Sequence, residues 1–410
     1  MATESGASAL HVVCLASYFK GNEFLRECKR QGCRVSLITR EKELSEDWAR
    51  ESLDDLVALP NEAGAELFIH AASELGRQRR VERVVALEEF DVQTAALVRE
   101  HLCLEGTSAG VARIFRDKLM MRIRAQTVGI LVPEFVHALN YNDVGRFMER
   151  VPAPWVLKPR SDVSAVGIRK LQEAEEVWRA IDELDHRERL RERPSYYLLE
   201  RFVAGDVYHV DSLVENGRVV FAGANRYGRP PMDVAHGGGV FLSHTIRHDS
   251  REQRELFRLN RKLIRELGLV RGATHAEFIR GSEDERFYFL EVAARVGGAY
   301  IAETLEAATG LNLWREWARV EISGTASPYH PEPARKDYGG IALSLARQEY
   351  PDTSAYTDPE IFYRVTKRHH VGLVVRSNSL ERVRELLDQY ARRFASDFSA
   401  VIPPRERIKE

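Results

Sequence analysis

The first hundred residues alternate between short apolar runs and amphipathic stretches. Buried strands are predicted for the apolar runs at residues 10–16, 33–39, 54–60 and 82–87. Helices are predicted where apolar positions recur at helical spacing, over residues 22–30, 66–75 and 91–102. Strands that alternate with helices at this pitch are typical of βαβ units, which have parallel strands and right-handed crossovers. The pattern therefore predicts an α/β domain with a parallel sheet over residues 1–110.

The pattern changes after Gly110, where apolar spacing predicts one helix over residues 111–129 that ends at Gly129. Further helices are predicted over residues 171–193, 250–268, 299–310 and 311–324. Antiparallel hairpins are predicted for strands 207–215 and 217–224, and for strands 273–280 and 286–295. The first hairpin has the turn dipeptide Asn216-Gly217.

A mixed pattern of strands and helices follows Pro328 and indicates a small C-terminal α+β domain. We therefore divide the chain into an N-terminal domain (1–110), a middle domain (111–328) and a C-terminal domain (329–410). The middle domain divides again into subdomains at residues 111–200 and 201–328.

Composition and charge narrow the classes of protein. The chain has 410 residues, with 60 basic and 62 acidic side chains and a formal net charge of −2. Such a balance argues against a dedicated nucleic-acid or anionic-membrane binder. No apolar run approaches the ~18 residues that span a bilayer, and the first residues do not resemble a secretory signal. The 4 cysteines have no CxxC spacing and are expected to be free thiols, so we expect a cytoplasmic protein.

Charged residues inside apolar strands suggest a site. Lys158 lies in the apolar segment WVLKP, where a lysine needs an anionic partner. Glu277 (HAEFI) and Glu291 (FLEVA) lie on the two arms of one predicted hairpin. Two semi-buried carboxylates repel each other unless a cation lies between them, and oxygen ligands suit Mg²⁺. The alternative is that each is an ordinary ion pair, with Lys262 or Arg280 as partners of the glutamates.

The ordered segments RDKLMMR, WVLKPR, YYLLERFVAGDVYHVDSLV, GLVRGATHAEF and FLEVAARVGG resemble the ATP-grasp superfamily. The resemblance runs from about Leu10 to Gly324, and the last two segments most resemble the carboxylate–amine ligases that join amino acids. It implies an N-terminal parallel βαβ domain, an ATP-grasp domain with antiparallel sheets and a small C-terminal α+β domain.

The resemblance also implies roles for individual residues. It implies that Lys118 and Lys158 bind the phosphates of ATP. It implies that Glu200 accepts from the adenine amino group, that the backbone of Phe202 or Val203 contacts the ring edge, and that Asp206 binds the ribose. It assigns Mg²⁺, with Mn²⁺ as an alternative, to Glu277 and Glu291. It assigns the transferring phosphoryl group or the substrate carboxylate to Arg295.

Two departures from the family pattern stand out. Ala293 occupies the position, two residues after Glu291, where the family commonly has Asn, which leaves the third protein ligand and the number of metal ions open. The loop at residues 161–167, which is usually glycine-rich, has only Gly167.

The substrate pocket is less clearly marked. Gly297 and Gly298 follow Arg295 and allow a ligand to approach the backbone. His275 lies two residues before Glu277, on the same strand face, and is a candidate catalytic residue. Further substrate-binding candidates are the polar residues Glu89, His209, Asn225, Arg226 and His236. The histidines could equally be structural, Glu89 could cap the following helix, and the glycine-rich segment 235–245 could be a closing loop or a simple hairpin turn.

The resulting hypothesis is an ATP-dependent ligase that joins a small-molecule carboxylate to an amine through an acyl phosphate. A dipeptide or related amino-acid amide is the expected product. The alternatives are a bicarbonate-activating carboxylase of the same superfamily and a non-catalytic nucleotide-binding module. No nucleic-acid or membrane partner is expected, and a homodimer is left open.

Overall fold

The computed structural model describes residues 9–161, 167–189, 197–232, 234, 238–324 and 328–398. His236 and the loop residues 162–166 lie outside these ranges, so the hypotheses about them stay untested. Among the described residues, no helix is both long and apolar enough to cross a membrane.

The N-terminal part forms the predicted parallel sheet. Its strands are β1 (His11–Ala16), β2 (Arg34–Arg40), β3 (Asp55–Leu59) and β4 (Arg83–Ala86), in the order β3-β2-β1-β4. The accompanying helices are α1 (Asn22–Arg30), α2 (Ala65–Gln78) and α3 (Val92–His101). β1 is completely buried because helices cover both faces of the sheet, as expected for a parallel sheet.

The single helix predicted over residues 111–129 is wrong, because the chain forms two helices there. These are α4 (Ala109–Ile114) and α5 (Lys118–Thr127). The cause of the break is Asp117, whose carboxylate accepts the backbone N–H groups of Leu119 and Met120 at 3.0 and 3.3 Å and so starts a new helix. Gly129 has a φ of 68° just past the end of α5, in agreement with its predicted role as a terminating glycine.

A small antiparallel sheet follows and brings two predicted site residues together. Its strands are β5 (Phe135–His137), β6 (Trp155–Pro159), β7 (Arg169–Leu171) and β8 (Tyr197–Arg201), in the order β5-β8-β6-β7. Helices α6 (Tyr141–Arg150) and α7 (Ala174–Arg189) accompany it. Glu200 pairs with Val156, two residues from Lys158, so Glu200 and Lys158 share one face of the sheet.

The largest sheet carries seven further predicted site residues and has eight strands. They are β9 (Gly205–Glu215), β10 (Arg218–Tyr227), β11 (Phe241–Thr245), β12 (Gly272–Gly281), β13 (Phe287–Ala293), β14 (Tyr338–Leu345), β15 (Ile361–Arg364) and β16 (His370–Ser377), in the order β13-β12-β9-β10-β11-β14-β16-β15. Helices α8 (Arg251–Leu267), α9 (Ile301–Thr309), α10 (Leu313–Ile322) and α11 (Leu380–Asp397) complete the described elements of this part. Asn216 and Gly217 both have positive φ, 49° and 74°, as the predicted β9–β10 turn requires.

The C-terminal part is α+β, as predicted, but its strands do not form a sheet of their own. β14 pairs with β11 from Phe241↔Leu343 to His244↔Gly340, and β16 and β15 follow. Helix α11 covers this end of the sheet with Val383 and Leu387 packed onto Gly340. The boundary that we drew at residue 329 therefore runs through one continuous sheet.

Candidate active site

The two predicted phosphate lysines are brought together by the start of helix α5. Lys118 is the first residue of α5, and its backbone N–H donates to the carbonyl of Arg160 at 2.8 Å. The Arg160 side chain in turn binds Asp117, with Nε 3.0 Å from Oδ1. Since Arg160 directly follows β6, these bonds fasten the beginning of α5 to the end of the strand that carries Lys158.

Lys158 lies in a buried ion-pair cluster with Glu200 and Arg122. Lys158 Nζ contacts Glu200 Oε1, and Arg122 Nε donates to Glu200 Oε2 at 3.1 Å. Burial lowers the pKa of Lys158 to about 8, although the charge of Glu200 opposes this shift. Two cations thus converge on one carboxylate, and the cluster has a surplus positive charge that suits an anionic ligand.

Glu277 and Glu291 face each other across β12 and β13, in direct register. Lys118 Nζ lies 3.0 Å from Glu291 Oε2, so a phosphate candidate and a metal candidate are in contact. Burial alone would raise the pKa of Glu291, but the charges of Lys118 and Lys158 outweigh it and hold this pKa at about 2. Glu291 is therefore ionised, and the facing pair offers the hard oxygen donors that fit Mg²⁺.

A buried chain of hydrogen bonds supports Glu277 from behind. Tyr227 donates its hydroxyl proton to Glu277 Oε1 at 2.7 Å, and His275 Nε2 lies 3.4 Å from the same oxygen. His275 Nδ1 is 2.8 Å from Asp211 Oδ1, and His209 Nδ1 is 2.6 Å from Asp211 Oδ2. Burial lowers the pKa of His275, but Asp211 and Glu277 outweigh it and raise this pKa to about 10. The carboxylates of Asp211 and Glu277 therefore favour the positively charged form of His275, which lies between them.

Glu89 is held between two guanidinium groups. Its Oε1 is 2.6 Å from Arg116 Nη1, and its Oε2 is 2.8 Å from Arg295 Nη2. Although burial opposes ionisation, the charges of Arg295, Arg116 and Lys118 lower the pKa of Glu89. Glu291 acts electrostatically on the same carboxylate. The Glu89–Arg295 pair thus lies within electrostatic range of Lys118 and Glu291.

The remaining candidates differ in their exposure and in their hydrogen-bond partners. Asp206, the ribose candidate, is half-exposed and pairs with Arg226 at 2.6 Å. The N–H of Phe202 is already donated to the carbonyl of Pro154 at 3.0 Å, so this amide is not free for an adenine ring. Asn225 is fully buried, and neither atom of its side-chain amide has a hydrogen-bond partner among the described residues.

The two glycines after Arg295 differ in their surroundings. A Cβ on Gly297 would lie 2.8 Å from Asp211 Oδ1 and 2.9 Å from His275 Nδ1, so close packing requires glycine there. A Cβ on Gly298 would meet nothing within 4 Å. Of the two, Gly298 therefore has the open space that a ligand needs.

Sequence reasoning missed Arg116, Arg122, Asp211 and Tyr227. A local signal existed for two of them. Arg122 lies four residues after Lys118, on the same helix face, and Asp211 lies two residues after His209, on the same strand face. Arg116 and Tyr227 reach their partners from distant segments and carry no such mark.

Comparison with known proteins shows which domains and folds this chain is similar to. Residues 151–303 match the family model of the ATP-grasp domain. An L-arginine-specific L-amino acid ligase of Bacillus subtilis is 21% identical over 245 residues, which are 59% of this chain and 58% of that protein. The chain thus spans somewhat over half the length of this curated relative. The chain contains an ATP-grasp domain.

Solved structures show the same architecture over nearly the whole chain. The L-amino acid ligase from Bacillus licheniformis superposes with a TM-score of 0.75 at 16% identity and covers 96% of this chain and 98% of its own. The biotin carboxylase domain of Hydrogenobacter thermophilus 2-oxoglutarate carboxylase, in complex with MgADP, ADP and bicarbonate, gives 0.70 at 15% identity, with 94% and 90% covered. The fold is the ATP-grasp fold, as the sequence resemblance implied.

Proposed function

We propose that the chain is an ATP-dependent carboxylate–amine ligase that joins amino acids through an acyl phosphate. The observation that carries the proposal is the contact of Lys118 with Glu291 beside the Glu89–Arg295 pair. Lys118 and Glu291, which suit a triphosphate and its metal ion, thus lie next to the Glu89–Arg295 pair. The carboxylate and the guanidinium of this pair match the ammonium and the carboxylate of an amino acid.

The first step transfers a phosphoryl group. A carboxylate oxygen of the acid substrate attacks the γ-phosphorus of ATP, the bond to the β,γ-bridging oxygen breaks, and ADP leaves. Lys118 and Lys158 bind the phosphates, and their cationic groups neutralise the charge that gathers on them. In this role the protein positions the reactants and stabilises charge rather than reacting covalently.

The second step forms the amide. The amine nitrogen attacks the acyl carbon, the carbon–oxygen bond to the phosphoryl group breaks, and phosphate leaves while the amine releases a proton to solvent. The Arg295 guanidinium has the fork that matches a carboxylate or an acyl phosphate. The Glu89 carboxylate is the matching partner for the ammonium group of an amino acid.

The donor set fits Mg²⁺, because Glu277 and Glu291 offer facing oxygens in direct register. When bound there, the ion would neutralise charge on the transferring phosphoryl group. Mn²⁺ accepts the same ligands and is the alternative. Glu200 and Asp206 remain our candidates for adenine and ribose, with Val203 for the ring edge.

Phosphate release, screened over pairs of amino acids with Mg²⁺-ATP, tests the proposal. We expect release only when an acid and an amine are both present, and hydroxylamine should trap the acyl phosphate as a hydroxamate. ADP release that depends on bicarbonate instead would favour the carboxylase. No substrate-stimulated turnover with any pair or with bicarbonate would leave a nucleotide-binding module.

A further inference from the structure

A cavity of about 110 Å³ is lined by residues of both the N-terminal part and the large sheet. Arg83, which lines it, is the first residue of β4, whereas Glu89 lies beyond the other end of that strand. Arg271, directly before β12, and Arg99 on α3 line the cavity as well. Three arginines thus come from three separate segments to one cavity that the proposed ligase reaction does not use.

Among the described residues, these three arginines donate hydrogen bonds only to main-chain carbonyls. Arg83 Nε and Arg271 Nη1 donate to the same oxygen, the carbonyl of Glu321, at 2.8 and 3.1 Å. Two nitrogens that share one acceptor lie within about 6 Å of each other, a distance at which like charges repel. An anion between the guanidinium groups would remove this repulsion.

The negative groups around the cavity are too few to balance three guanidinium groups. Among the described residues that line it, Glu321 is the only buried carboxylate, while Glu105 is exposed. Burial raises the pKa of Glu321, although the charges of the three arginines oppose this shift. The carbonyls that Arg83 and Arg271 bind lie at the end of helix α10, which carries about half a negative charge. Even with Glu321 ionised, a surplus of about 1.5 positive charges is left.

We propose that this cavity binds a phosphate group, either inorganic phosphate or the phosphoryl group of a small metabolite. Guanidinium N–H groups match phosphate oxygens, and a tetrahedral anion accepts hydrogen bonds from several directions at once. Its charge of about −2 offsets the positive surplus. The cavity of about 110 Å³ has room for several water molecules or for one phosphate group. It is too small for a nucleotide, because pockets that enclose ligands of drug size measure about 300 Å³ or more.

A bound phosphate would connect the two parts of the chain that form the active site. Arg83 begins the strand that leads towards Glu89, and Arg271 directly precedes the strand that carries Glu277. A ligand that binds the folded chain alone also stabilises it, so phosphate should raise the midpoint of thermal unfolding. The proposal does not depend on the proposed ligase function.

Calorimetric titration with inorganic phosphate, at saturating Mg²⁺ and a non-hydrolysable ATP analogue, tests the proposal. The analogue occupies the proposed phosphate site at Lys118 and Lys158, so that a second site is measured. We expect one phosphate per chain in the wild type and about ten- to hundredfold weaker binding in Arg271→Gln, which loses a charged donor. The matched control is Arg265→Gln on the exposed side of α8, which should bind phosphate like the wild type. No phosphate uptake by the wild type, or equal uptake by Arg271→Gln, would overturn the proposal.

A second variant tests the site without altering any arginine. Asn216 lines the cavity from the β9–β10 turn, and its φ of 49° suits aspartate as well as asparagine. Asn216→Asp keeps the shape of the side chain and adds a negative charge. The Kd for phosphate should therefore rise several-fold, with the largest effect at low salt. An unchanged Kd at low salt would count against the proposal.

A parallel titration with glycerol phosphate separates the two sources of the ligand. Tighter binding than that of inorganic phosphate indicates the phosphoryl group of a metabolite, and weaker binding indicates the free ion. These titrations contain no amino acids, and amide-forming turnover is assayed separately. The anion site and the ligase function can therefore stand or fall independently.

Discussion

The affinity for ATP should fall as the pH rises above about 8, because Lys158 then loses its proton. Burial lowers the pKa of Lys158 to about 8 in the protein without nucleotide. The phosphates of ATP favour the protonated form, so binding raises this pKa. Full affinity is therefore present below about pH 8 and is lost as the pH rises through the pKa of the free protein. If ATP binds only the cation, the Kd is about doubled at the pKa and about tenfold higher one pH unit above it.

Calorimetry with a non-hydrolysable ATP analogue and Mg²⁺, from about pH 7 to about pH 9.5, measures this effect. Repeating the titration in two buffers of different ionisation enthalpy should reveal proton uptake near pH 8. The control is Lys158→Arg, since a guanidinium keeps its charge throughout this range and should give a flat profile. If the wild type shows the same flat profile as the variant, Lys158 does not bind phosphate as a titrating cation.

Three further predictions concern the metal site and the substrate site. Glu291→Gln should lower phosphate release at least about a hundredfold at modest Mg²⁺, because several kcal/mol of charge stabilisation are lost. Its circular dichroism should stay native, and near-normal turnover would contradict the two-carboxylate site. Arg295→Lys keeps the charge but loses the fork, so turnover should fall about tenfold or more; wild-type rates with every acid tested would make Arg295 structural. Gly297→Ala should lower the free energy of unfolding in urea by about 1–3 kcal/mol, because its Cβ would meet Asp211 at 2.8 Å. An unchanged midpoint of the urea unfolding curve would show that the neighbouring side chains adjust freely.

The regular elements could be predicted because each has a local cause. Strand β1 is buried on both faces and appears in the sequence as an unbroken apolar run, HVVCLA. The turn at Asn216-Gly217 needs two residues with positive φ, and the dipeptide supplies them. The break between α4 and α5 was missed because a single side-chain cap at Asp117 outweighs a continuous helical pattern.

The site could be predicted only where a charge stands out from its neighbours. Lys158, Glu277 and Glu291 lie in apolar strands and are visible for that reason. Arg116 lies in an ordinary polar stretch, and its partner Glu89 is 27 residues away, so only the folded chain shows the pair. Pairing between strands is equally non-local, which is why the junction of β11 with β14 was not foreseen.

The hydrogen-bonded seam between β11 and β14 makes the C-terminal part a structural partner of the active site. Ser243 lies on this seam opposite Ile341, and its hydroxyl also holds His209 Nε2 at 2.8 Å. Loss of β14 would bare the edge of β11, and an unpaired edge is a template for aggregation. Truncation before residue 329 would therefore not yield a smaller working unit. It would yield an aggregation-prone sheet. Ser243, which holds His209 and through it Asp211, would then lie on an unpaired edge strand.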